Sequence, residues 1–339
     1  MAVTIEDIAK EAGVSISTVS RVMNGTKPVS QELRNRVYEV IKKNKFKPNT
    51  LARGLVTKKT NMIGVIVSDI SNVVFGAMTK GINSVCESKG YTIMICESGG
   101  ELERELKLLE LMEDKQIDGV LFAGIDVNRT LVDSILKRSY PTVLVTQEAS
   151  IGEGIVDTVV HNNTKAMSDA VQFLLDNGHR RIAYLGGPKH DYSSGKKRLQ
   201  GYKETLQRAG IEVRDSYIEQ VEFSFRAGYE GMKRIYEENS ILPTAVVTGS
   251  DVIAVAAIQF LRNMHIDVPN DISIMGFDDS DFSTYFQPEL STVRISYHHE
   301  GEMAAQELIR WIEGEETEAK THYVPHKIIR RSTIKTLNH

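Results

Sequence analysis

Short polar side chains and one arginine share the outer face of a predicted helix near the start of the chain. This face consists of Ile16, Ser17, Thr18, Ser20 and Arg21. Small hydroxyls allow close approach to phosphates and bases, an arginine can donate two hydrogen bonds to guanine, and an apolar tip can touch a thymine methyl group. The pattern therefore favours contact with DNA bases over the alternative, a packing helix in an unrelated bundle.

A second set of polar and aromatic side chains follows predicted β-strands farther along the chain. Carboxylates and an arginine can bind neighbouring sugar hydroxyls, and aromatic rings can lie against a sugar face. The candidates for this binding site are Asp69, Asn72, Phe75, Arg198, Phe223, Ser250, Asp251 and Asp278. Asp251 has a structural alternative, because it precedes a predicted helix and could be its N-cap. We expect Asp278 to lie at the end of a strand, ionised and held by Arg198.

Motifs of the common enzyme classes are absent from the sequence. It contains no G-x-G-x-x-G, no G-x-S-x-G and no Walker spacing. His322 and His326 could share one strand face, but no third ligand accompanies them, so we predict no metal site and no cofactor. Cys86 and Cys96 form no C-x-x-C pair and indicate buried thiols in a reducing compartment. We predict that the protein is not an enzyme.

Three predicted helices position the DNA-facing residues. The first follows an N-cap at Thr4 and stops at Gly13, where a left-handed backbone is needed. Ser15 caps the second helix, and the third covers residues 31–44. Apolar residues recur at helical spacing in all three, which gives them one common core. Two short helices separated by a glycine turn and closed by a third form a helix-turn-helix unit, expected over residues 1–46.

Charge separates this part of the chain from the rest. Residues 1–60 contain twelve lysines and arginines against five acids, a formal charge of +7, whereas the remaining 279 residues carry −11. A basic module on an acidic body is typical of polyanion binding. Residues 47–60 lack the apolar side chains for a core and are expected to be a linker. There is no apolar run of about 20 residues and no signal-peptide pattern, which favours the cytoplasm.

From residue 61 onward, short apolar runs alternate with amphipathic segments. Strands are predicted at 62–67, 91–95, 119–122, 142–145, 157–160, 181–185, 218–221, 245–248, 272–277 and 292–295. Strand–helix alternation predicts an α/β fold with two doubly wound, parallel lobes of about five strands each. We expect the first lobe to contain residues 61–160 with 294–323, and the second to contain residues 161–293 with 324–339.

Three segments of the basic part match the head of a known family. They are TIEDIAKEAGVS at Thr4–Ser15, TVSRVMNG at Thr18–Gly25 and PNTLARGL at Pro48–Leu55. With these segments the chain resembles the lactose/galactose-repressor family of bacterial transcription regulators, and the resemblance extends over essentially the whole chain. It implies an all-α helix-turn-helix head, a hinge helix and a two-lobed body similar to periplasmic sugar-binding proteins.

The family resemblance also implies roles for individual residues. The second helix would lie in the major groove, with Ile16, Ser17 and Arg21 reading bases. Residues that would position this helix or contact phosphate are Thr4, Ser15, Thr18, Ser20 and Asn24. The hinge would fold on DNA and insert a leucine into the minor groove. Its candidate residues are Asn49, Ala52, Arg53 and Leu55. Alternatively, Leu55 is a linker residue docked on the body.

The partners implied by the resemblance are a second copy of the chain, a near-palindromic DNA operator and a small sugar or sugar-phosphate effector between the lobes. Two rival functions are a catabolite-control regulator with a phosphorylated phosphocarrier protein as corepressor, and a sugar-binding transport protein. Some residues depart from the family pattern: Val73-Val74 follows Asn72 in place of Pro-Phe, and Ser250 replaces an asparagine. The loop 189–195 lacks the arginine of purine-responsive members, which argues against a purine and leaves the effector unidentified.

Overall fold

The computed structural model describes residues 3–24, 28–44, 46, 59–315 and 318–337. The chain divides into two compact units, residues 1–60 and 61–339. The first unit contains helices α1 (Ile5–Glu11), α2 (Ile16–Asn24) and α3 (Gln31–Lys43). Within the described ranges, no helix combines the length and apolar composition that crossing a membrane requires.

The sequence signals at the helix ends operate as expected in the first unit. Thr4 Oγ1 accepts a hydrogen bond from the backbone N–H of Asp7, and the Asp7 carboxylate accepts the backbone N–H of Thr4, which forms a capping box. Gly13 has φ +63°, in the left-handed region that ends α1. Glu11 accepts hydrogen bonds from Lys43 and Asn44 and so joins α1 to the end of α3. The buried core residues are Ile8, Ala9, Ala12, Val19, Val22, Val37 and Val40.

The second unit alternates strands and helices. Its strands are β1 (Met62–Val67), β2 (Thr92–Glu97), β3 (Gly119–Ala123), β4 (Thr142–Val145), β5 (Asp157–His161), β6 (Ile182–Gly186), β7 (Ile218–Gln220), β8 (Ala245–Thr248), β9 (Ser273–Asp278), β10 (Ser291–Ile295), β11 (Thr321–Val324) and β12 (His326–Ile329). Its α-helices are α4 (Val73–Ser88), α5 (Leu102–Asp114), α6 (Arg129–Ile135), α7 (Asn163–Asp176), α8 (Arg198–Arg208), α9 (Phe225–Glu238), α10 (Asp251–Asn263), α11 (Phe282–Tyr285) and α12 (Tyr297–Glu313). A π-helix, Tyr192–Lys197, leads into α8, and a 3₁₀ turn, Asp215–Tyr217, precedes β7.

The strands form two six-stranded sheets, one per lobe. The first has the order β11-β5-β4-β3-β1-β2 and is parallel throughout. The second has the order β12-β10-β9-β8-β6-β7 and is parallel except for β12, which runs antiparallel to β10. Central strands such as β3 and β9 are buried along their whole length, as expected for parallel strands with helices on both faces. The predicted fold class is confirmed.

The sheets contain two strands more than the ten predicted. β11 and β12 are short and carry polar or half-buried residues, so they lack the apolar runs by which the other strands were found. Pro325 lies between them, and they belong to different sheets. His322 and His326 therefore lie in different lobes, and the prediction that they could share a strand face was wrong.

The chain crosses between the lobes three times, after β5, β10 and β11. β10 pairs with β9 and β12 and therefore belongs to the second lobe up to Ile295. The lobe boundary expected between residues 293 and 294 falls inside this strand, and the chain crosses to the first lobe after Ile295. Similarly, His161 and Val324 are the last residues of first-lobe strands, each one residue beyond the expected boundary.

In the first lobe, α4 and α12 pack together without intervening side chains at two glycines. A Cβ at Gly81 would lie 1.9 Å from the carbonyl oxygen of His298, and a Cβ at Gly301 would lie 2.1 Å from that of Met78. Only glycine permits two helix backbones to approach so closely. This contact fixes the position of α12. Its first residue, Tyr297, reaches the site described below.

Gly81→Ala should destabilise the second unit by about 1–3 kcal/mol, because the added methyl group must push the α12 backbone away. Gly76→Ala is the matched control in the same helix, since its Cβ would meet nothing within 4 Å. Alanine there should be neutral or stabilise by up to about 1 kcal/mol through helix propensity. Urea denaturation of both variants checks this, and equal stabilities would contradict the close contact.

Candidate functional site

The outer face of α2 is exposed as predicted. The side chain of Ile16 is 46% exposed, and Ser17 and Arg21 are also exposed. Ser15 Oγ accepts the backbone N–H of Thr18 and lies 2.8 Å from Ser17 Oγ, so hydroxyls cluster at the start of this helix. α2 thus carries small polar groups and one arginine on an exposed face that could enter a groove of DNA.

Other predicted DNA-contact residues have different settings. Thr4 uses its hydroxyl within the capping box of α1, Ser20 is half-buried, and Asn24 is the last residue of α2. The hinge candidates lie outside the described residues. They are Asn49, Ala52, Arg53 and Leu55.

A cleft of about 530 Å³ lies between the two lobes of the second unit. Strand ends of both sheets and the helices that follow them form its walls, which is where doubly wound folds bind ligands. Seven of the eight candidate binding residues line it. They are Asp69, Asn72, Phe75, Arg198, Phe223, Ser250 and Asp278.

Asp251 is the one candidate that does not line the cleft, and it is fully buried. Its carboxylate accepts hydrogen bonds from Thr292 Oγ1 (2.6 Å), Ser283 Oγ (2.7 Å) and the backbone N–H of Ser280 (2.7 Å). Burial raises the pKa of Asp251 to about 6, although these donors favour its charged form. The N-cap of α10 is Ser250, whose hydroxyl accepts the N–H of Ile253. The hydrogen bonds of Asp251 therefore hold the loop after β9 in place beneath the cleft.

Arg198 forms the floor of the cleft and is 3% exposed. Its Nε donates to Asn163 Oδ1 at 2.7 Å and its Nη1 to the carbonyl oxygen of Gly249 at 2.6 Å. Its Nη2 lies 3.2 Å from His161 Nε2. The guanidinium carbon lies 3.7 Å from the centre of the Phe277 ring. The guanidinium is thus fixed by contacts on its edges and on one face.

Asp278 is bound by a tyrosine, not by Arg198 as expected. Tyr297 Oη donates to Asp278 Oδ1 at 2.6 Å. Burial raises the pKa of Asp278 to about 7, with the nearby Arg198 charge acting in the opposite direction. Burial thus disfavours the charged form of this carboxyl group, which corrects the expectation of a carboxylate held ionised by Arg198. Because Asp278 ends β9 and Tyr297 begins α12, this hydrogen bond joins the two lobes across the cleft.

Several residues of the cleft were missed by sequence reasoning. Thr146 and Gln147 follow β4, and His161 ends β5, so the rule that residues at strand ends line the site could have found them. His161 Nδ1 lies 2.8 Å from the buried carboxylate of Glu300. Tyr297, the first residue of α12, also lines the cleft.

An ion pair between a half-buried lysine and a buried glutamate joins the lobes beside the cleft. Lys197 Nζ lies 2.6 Å from Glu148 Oε1, and the backbone N–H of Glu148 donates to Ser193 Oγ at 3.0 Å. Glu148 follows β4 of the first lobe, whereas the other two residues belong to the π-helix of the second lobe. These contacts hold one relative position of the lobes.

Three potential metal ligands lie close together away from the cleft. Asp157, Glu307 and His322 place one ligand atom each within 4.8 Å of one another. Asp157 already accepts the indole N–H of Trp311 and the backbone N–H of Lys320, and Glu307 is paired with Arg310. Protein donors thus account for the positions of both carboxylates.

The sequence matches two family profiles. One, described as "Bacterial regulatory proteins, lacI family", covers residues 4–49, and the other, "Periplasmic binding protein-like domain", covers residues 171–334. The chain is 35% identical to catabolite control protein A of Priestia megaterium over 335 residues, which cover 99% of this chain and 100% of that protein. The chain belongs to the lacI family of bacterial regulatory proteins. It is a DNA-binding transcriptional regulator of that family.

Solved structures agree with the lacI-family fold. A lac repressor dimer bound to operator and an anti-inducer superposes with a TM-score of 0.90 at 22% identity, and the match covers 99% of this chain and 100% of that chain. This likeness bears on the fold alone. A complex of the transcriptional regulator CelR with cellobiose matches with a TM-score of 0.76 at 26% identity and covers 98% of this chain and 99% of that chain.

The pKa of Asp278 predicts a pH dependence of stability. Because burial raises it, the folded protein binds more protons at this site than the unfolded chain between about pH 4 and pH 7. The stability of the wild type relative to Asp278→Asn should therefore fall as pH rises through this range, by at most about 1.4 kcal/mol per pH unit. Urea denaturation at four pH values measures the difference. Asp281→Asn, at an exposed carboxylate three residues away, should show no such trend, and parallel curves for wild type and Asp278→Asn would refute the assignment.

Proposed function

We propose that this regulator is a repressor whose operator affinity is set by a small polyhydroxyl effector bound in the interlobe cleft. The observation that carries the proposal is the hydrogen bond between Asp278 and Tyr297, which come from opposite lobes and both line the cleft. The protein acts in the cytoplasm by binding, not by catalysis. The CelR complex with cellobiose supports a carbohydrate as the effector class.

The proposed mechanism is thermodynamic linkage between effector and operator. Hydroxyls of an effector in the cleft compete for Asp278 and Tyr297 and so change the preferred distance between the lobes. Because effector and operator favour different lobe positions, each alters the affinity of the protein for the other by the same factor. The direction of the effect, induction or corepression, depends on which lobe position fits the operator.

The DNA side of the proposal rests on α2 and on the linker that follows the head. Ile16, Ser17 and Arg21 read bases in the major groove, and Leu55 of the hinge unstacks a central base step in the minor groove. Two heads related by a two-fold axis require a near-palindromic operator.

We further propose that the protein is a homodimer. An apolar groove of about 510 Å³ lies between α4 and the edge strand β2 of the first lobe. Ile70 and Ile95 on its walls are 63% and 46% exposed, so this face leaves apolar surface uncovered in the single chain. The lac repressor with the same fold is described as a dimer on its operator.

A second candidate function is catabolite control through a phosphorylated phosphocarrier protein. The 35% identity to a catabolite control protein favours it. Against it, Tyr297 is only weakly similar to the start of a phosphocarrier-docking stretch and is buried against Asp278. His298 and His299, which follow it and are exposed, do not continue that stretch. Operator binding that responds to the serine-phosphorylated phosphocarrier, and not to any free carbohydrate, would select this function over the first.

A thermal-shift screen of carbohydrates identifies the effector, and operator titration by fluorescence anisotropy then tests the mechanism. Asp278→Asn should weaken effector binding about ten- to a hundred-fold, because it replaces one carboxyl oxygen, an acceptor of hydroxyl hydrogen bonds, by an amide NH₂ group. Operator affinity without effector should stay within about two-fold, because asparagine keeps an acceptor oxygen for Tyr297. Asp281→Asn is the matched control and should leave both affinities unchanged. An unaltered effector response in Asp278→Asn would remove this residue from the site.

Arg21→Ala should cost about 1–3 kcal/mol on the specific operator and flatten discrimination at one base pair, because a bidentate contact to guanine is lost. Arg36→Ala removes an equal charge from an exposed position of α3 and should leave base discrimination unchanged. The measurement is anisotropy with operators substituted at single positions. A uniform loss on specific and random DNA would make Arg21 a phosphate contact instead.

Ile95→Asp should convert the dimer into a monomer, because it places a charge in the apolar groove. Leu136→Asp introduces the same charge at a residue that is 58% exposed and away from the groove, and should remain dimeric. Light scattering after size-exclusion chromatography gives the masses, and a dimeric Ile95→Asp protein would place the interface elsewhere.

A further inference from the structure

Carboxyl groups outnumber lysine and arginine side chains in the described lining of the interlobe cleft. Carboxyl groups of Asp69, Asp191, Glu222 and Asp278 line it. Among the described residues of its lining, Arg198 is the only lysine or arginine. Asp69 and Glu222 are exposed at the rim, so a ligand that enters must pass close to them.

The one arginine is already committed to protein partners. Two of its five N–H groups donate to Asn163 Oδ1 and the carbonyl oxygen of Gly249, and a third faces His161. Turning the guanidinium toward an anionic ligand would leave these buried acceptors without partners, at about 1–3 kcal/mol each. The stacking on Phe277 opposes the same movement.

The helix N-termini at the cleft offer no ready anion site either, because side chains cap them. Asn72 Oδ1 accepts the N–H of Val74 at the start of α4. Asp191 caps the π-helix with its own carboxylate, and Ser250 caps α10. Backbone N–H groups that bind phosphate in other folds are here taken by acceptors, one of which is an acid.

The cleft also holds an unsatisfied acceptor. Gln147 lines it and is 6% exposed, and its Oε1 has no hydrogen-bond partner among the described residues. A buried amide oxygen of this kind is satisfied by a hydrogen-bond donor, such as a hydroxyl group of a ligand. The cleft therefore favours a ligand that donates hydrogen bonds and disfavours a ligand that carries negative charge.

We infer that the cleft selects an uncharged, hydroxyl-rich ligand and excludes its phosphate ester. This inference rests on the proposed function and specifies its effector. A phosphate monoester carries about −1.5 to −2 charges at neutral pH. Here it would meet the exposed carboxylates of Asp69 and Glu222 at the rim, whereas the guanidinium of Arg198 is held on the floor of the cleft by protein acceptors. The regulator thus senses a carbohydrate before a kinase-type reaction phosphorylates it.

Matched pairs test the inference on the full-length protein. Glucose, ribose and fructose are compared with glucose 6-phosphate, ribose 5-phosphate and fructose 6-phosphate, and cellobiose is added as a free disaccharide, all in thermal-shift titrations. We expect stabilisation by at least one free sugar, and at least ten-fold weaker binding of its ester. An ester that binds as tightly as its parent, or more tightly, overturns the inference and leaves the proposed carbohydrate effector intact. Failure of all seven compounds to raise the Tm up to 50 mM overturns both.

A charge variant identifies the cause of the discrimination. Glu222→Lys, at an exposed rim position, should reduce the preference for the free sugar at least three-fold by improving binding of the ester. Glu222→Gln should give a smaller change in the same direction. Equal preference in wild type and Glu222→Lys would show that charge at the rim does not exclude the ester.

Discussion

The buried guanidinium of Arg198 is the contact on which the arrangement of the cleft depends. Its hydrogen bonds reach Asn163 at the start of α7 and Gly249 at the end of β8, and its third edge faces His161 at the end of β5. Its face covers Phe277 of β9. One side chain thus connects the segment where the chain first crosses between the lobes to the ends of two strands of the second sheet. A charge so deeply buried is stable only when its donors are satisfied, and these partners satisfy it.

Specific polar contacts between the lobes at the cleft offer a ligand groups that it can replace. Tyr297 reaches Asp278, and Glu148 reaches Lys197. A ligand that takes the place of the first contact exchanges one set of hydrogen bonds for another, at a small net free energy. Small free-energy differences between lobe positions are what allow a weakly bound effector to shift the equilibrium. The proposed regulation therefore needs no large rearrangement inside either lobe.

Local sequence signals predicted much of this structure. The capping box at Thr4, the left-handed Gly13 and the buried apolar runs are short-range features, so α1 and central strands such as β4 could be located from the sequence. The rule for parallel strand ends also placed Asp278 at the cleft, which Arg198 at the start of α8 lines as well.

What failed depends on contacts between distant segments. The partner of Asp278 is Tyr297, supplied by α12 after a crossing between lobes, and no local pattern reveals that pairing. Asp251 looked like a ligand or a cap, but three donors from later segments occupy it. β12 forms because β10 offers an edge to pair with, although its own sequence, His326–Ile329, alternates only weakly.

The central claim is that effector and operator are coupled through the position of the lobes, and reciprocity tests it most directly. Once the screen provides an effector, its affinity is measured by isothermal titration calorimetry for the free protein and for the protein saturated with operator. The account predicts that operator changes effector affinity by the same factor by which the effector changes operator affinity, in the range of about 5- to 150-fold. Equal effector affinity for the free and the operator-bound protein would contradict it.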